Sequence, residues 1–400
     1  MAAAGGSAFD GAMGAMEAEA PPAWATAAAP VSPAPQGAPF GAADEEVPAW
    51  ATASVPVVAN DGGEEDIFNL GLEDLMNTKV VTASKSKERA FDVAAAITVI
   101  TNEDLRRSGY TNVMDALRMV PGMQVAQIST PSWSVGSRGF GDEYANKLLV
   151  MIDGRSIYTS TFSGVFWDEV NLPMEDIDRI EVIRGPGATI WGANAVNGVI
   201  NIVTKESKYT QGAYLSGGAG NYEKMFGEGR SGGKFGDNGH YRFYGRHLER
   251  GRWDAADGSG EQRTGIERLM SGFRADWEGG GHSSYTVQGE VQKGSTEQHT
   301  RQFGISDETE ITTAYLRGRW DKVLSDDSSI SLSSYLDHDS RKAPSVFIKV
   351  TNFDLDFNHK KRWLDRNELI WGLGYRLTSD NYENTSLLSF TPAEDTRHLF

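Results

Sequence analysis

From Ser207 onward the chain alternates apolar and polar positions. Tyr285, Val287, Gly289 and Val291 share one face of an expected strand, with Thr286, Gln288, Glu290 and Gln292 on the other. Phe353, Leu355 and Phe357 likewise oppose Asn352, Asp354, Asp356 and Asn358. Leu369, Trp371, Leu373, Tyr375 and Leu377 line a third apolar face, and Leu269, Phe273, Ala275 and Trp277 a fourth. Ala314, Leu316 and Trp320 oppose Tyr315, Arg317 and Arg319. A period of two specifies β-strand. Soluble antiparallel sheets also alternate, but these runs often reach about ten residues or more, the length of a tilted transmembrane strand. Trp277, Trp320 and Trp363 near strand ends fit an interfacial aromatic girdle. Tight turns are expected at Gly236–Gly239, Glu278–Gly281 and Ser325–Ser328, and longer connections at 251–265, 295–309 and 340–346. The pattern gives roughly nine strands and the start of a tenth.

Residues before Ser207 read as mixed α and β. A strand is expected over Ala96–Ile100, then a helix over Glu103–Ser108 capped by Thr101 or Asn102 and ended by Gly109. A second helix, Asn112–Met119, capped by Thr111, stops at Pro121-Gly122 and places Val113, Leu117 and Val120 on one stripe. Met123–Ile128 and Ser134–Arg138 read as strands, and Leu148–Asp153 leads through Asp153-Gly154 to Arg155–Tyr158, a hairpin signal.

The stretch Asp178–Lys205 is the most informative. Two β-branched strands, Ile180–Ile183 and Val199–Thr204, flank a compact connector opened by Gly185-Pro186-Gly187, with Gly192 and Gly198 bracketing an Ala/Asn-rich turn. Proline lacks an N–H and glycine permits positive φ, so the first strand must stop there. This pattern resembles the segment that closes the plug domain of TonB-dependent outer-membrane receptors: a strand ending in Arg-Gly-Pro, a Gly-rich turn, and a Gly-Val-Ile-Asn-Ile strand. The resemblance covers residues 70–400 and is strongest over 134–205. It implies an α+β plug domain followed by antiparallel transmembrane β-barrel strands, here an incomplete barrel, after a disordered N-terminal arm. The expected boundaries are 1–66 for the arm, 67–85 for a TonB-box region, 86–206 for the plug and 207–400 for the barrel part. The family's barrel has about 22 strands and an open sheet leaves its edges unsatisfied in lipid, so the sequence is expected to be a fragment of a longer receptor.

Composition narrows the chemistry. With no cysteine, the chain offers no disulfide, zinc thiolate or thiol nucleophile. No run approaches a transmembrane helix in length, which leaves a strand-built membrane protein open. Of the net charge of −17, residues 1–78 carry −12, with no Lys or Arg, so the acidity belongs to the arm and nucleic acid is not an expected partner. The arm is Ala/Pro/Gly-rich, too poor in large apolar residues to fold. Its repeat, Pro22–Ala27 and Pro48–Ala53, reads either as low-complexity drift or as a tryptophan motif for a periplasmic partner. The residues after Met1 show neither the basic opening nor the apolar core of an export signal, although the remainder demands export. The expectation is that the true start lies elsewhere or that the sequence begins after signal removal. The seven histidines show no ligand spacing, and Gly229-Arg-Ser-Gly-Gly233 has neither the apolar strand before it nor the helix after it that a hydrolase elbow needs. No catalytic or metal site and no cofactor is expected.

Within the family reading, Leu70–Met76 is a short amphipathic turn, and Thr78, Lys79, Val80, Val81, Thr82 and Ala83 resemble the TonB box. Main-chain pairing with an added strand supplies affinity there, so a Val-Val-Thr core suffices; the alternative is an ordinary first plug strand. Arg138, Glu181 and Arg184 resemble plug charges that pair with the barrel wall, with Glu290, Asp354 and Asp356 as expected partners. The aromatic loops Ile128–Val135 and Tyr158–Trp167 read as the plug apex, with Trp133, Tyr158 and Phe162 as ligand contacts and Phe166 and Trp167 either contacts or wall anchors. The implied function is TonB-dependent uptake of a scarce nutrient, a ferric siderophore or else vitamin B12 (cobalamin). The implied partners are periplasmic TonB, that ligand and outer-membrane lipid, with the protein in the outer membrane of a Gram-negative-type bacterium and its plug and arm facing the periplasm. A signalling receptor would need a folded domain in place of the arm, and a passive porin-like channel or adhesin would need neither plug nor box.

Overall fold

The computed structural model describes residues 79–80, 88–89, 96–185, 191–192, 194–253, 264–300, 305–343, 345–363 and 367–400. The expectations for the arm, for Leu70–Met76, for Thr78 and Val81–Ala83, and for residues 186–190 of the connector lie outside these.

Two short strands, β1 (Lys79–Val80) and β2 (Glu88–Arg89), pair antiparallel. The plug follows with β3 (Ile97–Thr101) and α1 (Asn102–Ser108), where Thr101 caps through a reciprocal box with Asp104 and Gly109 closes in the left-handed region at φ 70°. The second helix, α2 (Val113–Ala116), tightens into a 3-10 turn at Leu117–Met119. Its cap is Asn112, not Thr111: the Asn112 side chain accepts from the Asp115 amide. The Thr111 hydroxyl instead donates to Glu223 at 2.8 Å. Val113, Leu117 and Val120 are all buried, as the stripe requires.

Strands β4 (Met123–Gln127) and β5 (Trp133–Ser137) form a hairpin. Then β6 (Leu148–Ile152), β7 (Arg155–Ser156), β8 (Ile177–Arg184) and β9 (Gly198–Thr204) join β3 in a five-stranded sheet ordered β3-β8-β9-β6-β7. The Leu-Leu-Val-Met-Ile of β6 is apolar at every position because both faces of that strand are covered, as its parallel pairing with β9 demands. One face packs Ile180, Val182, Ile200 and Ile202 under the helices, and the other packs Leu149, Met151, Ile183 and Val199 under Ala195. Gly198 is obligatory: a Cβ there would meet the Ile183 carbonyl at 2.5 Å. Asp153 and Gly154, at φ 51° and 83°, make the two-residue turn between β6 and β7.

Among the described residues the remainder is one antiparallel meander of ten strands. These are β10 (Gly212–Gly218), β11 (Glu223–Phe235), β12 (Gly239–Arg250), β13 (Ile266–Gly279), β14 (Ser283–Thr300), β15 (Ile305–Ser325), β16 (Ser328–Ala343), β17 (Val346–Trp363), β18 (Asn367–Glu383) and β19 (Glu394–Leu399). Burial is inverted relative to a soluble sheet: Leu215 is 82% and Leu373 72% exposed, whereas Arg268 is 0% and Arg317 4% exposed. The polar face looks onto the plug and the apolar face outward, as in a transmembrane barrel wall. Trp277 stacks on Tyr285 at 5.3 Å near the tight-turn rim, part of the aromatic girdle. Much of the connections expected at 295–309 and 340–346 is instead strand: residues 295–300, 305–309 and 340–343, and Val346, are extended. β14 and β15 pair out to Thr300 and Ile305, and β16 meets β17 at Ala343 and Val346, because alternation and cross-strand pairing continue through these polar stretches. The Gly229–Gly233 stretch lies inside β11 with no strand–turn–helix around it.

Candidate functional site

The wall presents arginines to the plug in register. One row runs through directly paired Arg242 and Arg274, then Gln288, Arg317, Tyr335, Asp354 and Arg376, one residue from each of β12 to β18. Further lumen-facing arginines include Arg268 and Arg341, which lie farther from the tight-turn rim. A strand period of two puts every one of them on the inner face.

Plug carboxylates answer them. The 3-10 turn Trp167–Glu169 delivers Asp168 to Arg268 at 3.1 Å and to Arg341 at 3.0 Å, and Thr296 adds a hydroxyl at 3.1 Å. Glu169 pairs with the same Arg341, whose guanidinium also lies 3.9 Å over the Phe166 ring. A second 3-10 turn, Met174–Asp176, delivers Asp176 to Arg230 and, at 3.8 Å, to Arg242. At the β6–β7 turn, Asp153 accepts from Gln288 at 3.0 Å and lies 3.7 Å from Arg274. Plug carbonyls take two further donors: Leu172 from Arg246 at 2.6 Å and Lys205 from Arg242 at 2.5 Å.

Electrostatics differ among these acids. Burial alone would raise Asp168, yet Arg341 and Arg268 hold it below the ordinary carboxylate range. Asp153 behaves alike: burial opposes ionisation, and Arg274, Arg317 and the Thr204 hydrogen bonds overcome it. Glu169 goes the other way. Burial and the adjacent Asp339 raise it well above the glutamate range, against the pull of Arg341.

The pairs seen between plug and wall thus set acids of the plug against arginines of the wall. Arg184 donates to the Pro121 carbonyl at 2.7 Å, within the plug. Glu181 is 0% exposed and pairs with Arg179 of its own strand at 2.8 Å. Arg138 is exposed, at φ 60°, and meets no carboxylate among the described residues. Of the wall acids named as partners, Glu290 accepts from Tyr244 at 2.9 Å and Asp354 from Arg376 at 2.8 Å. Asp168, Glu169 and Asp176 look like solvated turn acids in sequence. The signal that locates them is the arginine excess on the inner wall, which needs anions opposite.

The aromatic loops divide. Trp133 is 2% exposed, in the plug core with Arg118 stacked 5.9 Å from its ring, so as placed it offers no face to a ligand. Its loop is tied to the wall where Thr130 donates to the Gly251 carbonyl at 2.9 Å. Phe162 is half-buried and packs edge-on between Tyr144 at 5.1 Å and Phe166 at 4.9 Å. Tyr158, also half-buried, donates to the Asn146 carbonyl at 2.9 Å, and Tyr144 is 53% exposed. Phe166 and Trp167 serve as wall anchor and core. Of the box residues, Lys79 and Val80 form β1.

Comparisons agree with this architecture. Residues 89–199 match the family model of the TonB-dependent receptor plug domain. A vitamin B12 transporter, BtuB, of Vibrio vulnificus is 36% identical over 146 residues, which are 36% of this chain and 23% of that protein. An iron-regulated outer membrane virulence protein of Vibrio cholerae is 36% identical over 137 residues, 33% of this chain and 20% of that protein. The chain thus spans under a quarter of these relatives' length. The crystal structure of the siderophore receptor PirA from Pseudomonas aeruginosa superposes with a TM-score of 0.56 at 18% identity, covering 76% of this chain and 51% of that one. Family model, relatives and fold converge: residues 89–199 are similar to the plug domain of the TonB-dependent receptors, and the strands that follow share the fold of the siderophore-receptor structures.

Proposed function

We propose that the chain forms the plug and leading wall of an outer-membrane receptor that imports a ferric siderophore with energy delivered by TonB. The observation that carries this reading is the pinned plug. Buried pairs from Asp168 and Asp176 hold it against the wall, an arrangement without use in a passive pore but required where opening is driven. In the working cycle Lys79 and Val80, paired here with β2, leave that strand for TonB, which adds as a strand. Cargo is received on Tyr158, Phe162 and the adjoining Tyr144, where flat apolar faces stand beside Ser and Thr hydroxyls, a surface suited to an amphipathic chelate. A second reading, cobalamin as cargo, is favoured by the likeness to the Vibrio vulnificus protein named for vitamin B12.

The test is uptake of radiolabelled ferric chelates and of labelled cobalamin by cells expressing the intact receptor, with and without TonB and with a protonophore. Uptake of a ferric chelate that vanishes on either treatment is the expected result. Uptake indifferent to both makes the protein a passive channel, and uptake of cobalamin alone transfers the reading to the second cargo.

A further inference from the structure

Arg317 stands beside the Asp153-Gly154 turn, where a Cβ on Gly154 would lie 3.9 Å from its Nη2. The residue is 4% exposed, and its Nε is enclosed with no acceptor. Among the described residues its guanidinium donates no hydrogen bond, and the opposite charge it faces, that of Asp153 across the turn, stays outside ion-pair contact. Its neighbours are answered: Arg274 by Asp276 at 2.9 Å and Arg319 by Asp321 at 2.6 Å. The adjacent acid, Asp153, is already engaged. Its Oδ1 accepts the Thr204 amide at 2.8 Å, and its Oδ2 accepts the Thr204 hydroxyl at 2.8 Å and Gln288 at 3.0 Å. A buried guanidinium without an acceptor is costly, and its planar fork matches paired anionic oxygens.

We propose that Arg317, flanked by Arg274 and Gln288 at the tip of the plug's β6–β7 turn, is a binding point for an anionic oxygen group: carboxylate, phosphate or phenolate. Two sources share this chemistry, an anionic group of the cargo passing the tip and a free anion of the medium. The first rests on the receptor reading above and the second does not. Either occupant supplies the acceptor that the surrounding side chains withhold. The position is deep, between plug and wall, so occupancy belongs to passage or to plug docking rather than to first capture at the aromatic apex.

The experiment has two arms, each comparing the intact receptor with Arg317→Gln and with Arg317→Lys, which keeps the charge and loses the fork. In detergent, thermal unfolding is followed against inorganic phosphate. In cells, uptake and surface binding are followed for radio-iron on a tris-catecholate, which is anionic, and on a tris-hydroxamate, which is neutral. A cargo source predicts that Arg317→Gln slows tris-catecholate uptake about tenfold with surface binding and hydroxamate uptake unchanged, and that Lys restores part of it. A free-anion source predicts that phosphate raises the wild-type midpoint and that Arg317→Gln abolishes the shift. If wild type carries neither chelate, the receptor reading fails for siderophores and the phosphate arm alone decides. A wild-type midpoint insensitive to phosphate, together with catecholate uptake that Arg317→Gln leaves unaltered or that wild type does not perform, overturns the proposal.

Discussion

Replacing Asp168 by Leu tests what pins the plug. The carboxylate is 5% exposed and answers Arg268, whose side chain is 0% exposed, and Arg341, at 9%. Arg341 keeps Glu169, so one guanidinium is stranded rather than two. Arg268 retains the carbonyls of Glu267 at 2.9 Å and Ser295 at 2.5 Å, which soften the loss. Breaking a buried pair from one side costs about 3–5 kcal/mol, and these residual bonds place this case near the lower end, about 3 kcal/mol. That moves the balance between docked and undocked plug about 150-fold. Hydrogen exchange of residues 148–184 in the intact receptor reads this directly, because amides protected by docking exchange faster in proportion to the undocked population. Adding Arg268→Met should return most of the protection, since an apolar pair of similar volume removes the stranded charge. Exchange in the single variant indistinguishable from wild type would refute the claim that this pair holds plug to wall.

Trp133→Ala should lower plug stability by about 3–5 kcal/mol in chemical unfolding and leave ligand affinity alone, because the ring fills core. Phe162→Ala should do the converse, costing about 2 kcal/mol, or about thirtyfold in affinity by calorimetry with the transported chelate, with stability nearly kept. The raised Glu169 binds its proton more tightly in the docked plug than free, so its contribution to docking is fullest in acid and is lost as pH rises beyond the ordinary glutamate range. Glu169→Gln should flatten that dependence in an exchange-versus-pH series, and a slope equal to wild type would count against it. Val81→Pro removes a main-chain N–H and restrains the residue before it, so uptake should stop while surface binding persists. Unimpaired transport would move the box elsewhere.

The wall was legible because alternation is a repeated signal: from Leu269 to Leu377 each strand states its own two faces. Thr101 and Gly109 similarly announce the ends of α1 by local chemistry. Strand ends were harder. Residues 295–309 are rich in Thr, Glu and Gln, which composition assigns to loops, yet neighbours across the ladder keep 295–300 and 305–309 extended. The site was the least legible part. Arg138 and Arg184 sit in a recognisable segment and drew the pairing role, whereas Asp168 and Asp176 lie in short 3-10 turns whose acids gain meaning only when Arg268 and Arg230 arrive from 100 and 54 residues away. Trp133 misled for a related reason: its flanking serines suggest exposure, while its neighbours in space are core.

The register of the wall has a consequence for how such a chain can change in length. Among the described pairings from β12 to β18, the ladder slips only between Val323 and Ser325, at the tight-turn rim. Strand parity therefore acts as an arithmetic constraint. One residue added inside β13 before Arg274 turns that guanidinium from the lumen to hydrocarbon, at about 2–4 kcal/mol near the bilayer midplane, and turns Phe273 inward. Two added residues slide the strand by one rung and keep every face. Length variation should be free in the connections and even-numbered within strands, so a tally of odd against even gaps in related walls would carry the imprint of the lumen's charge.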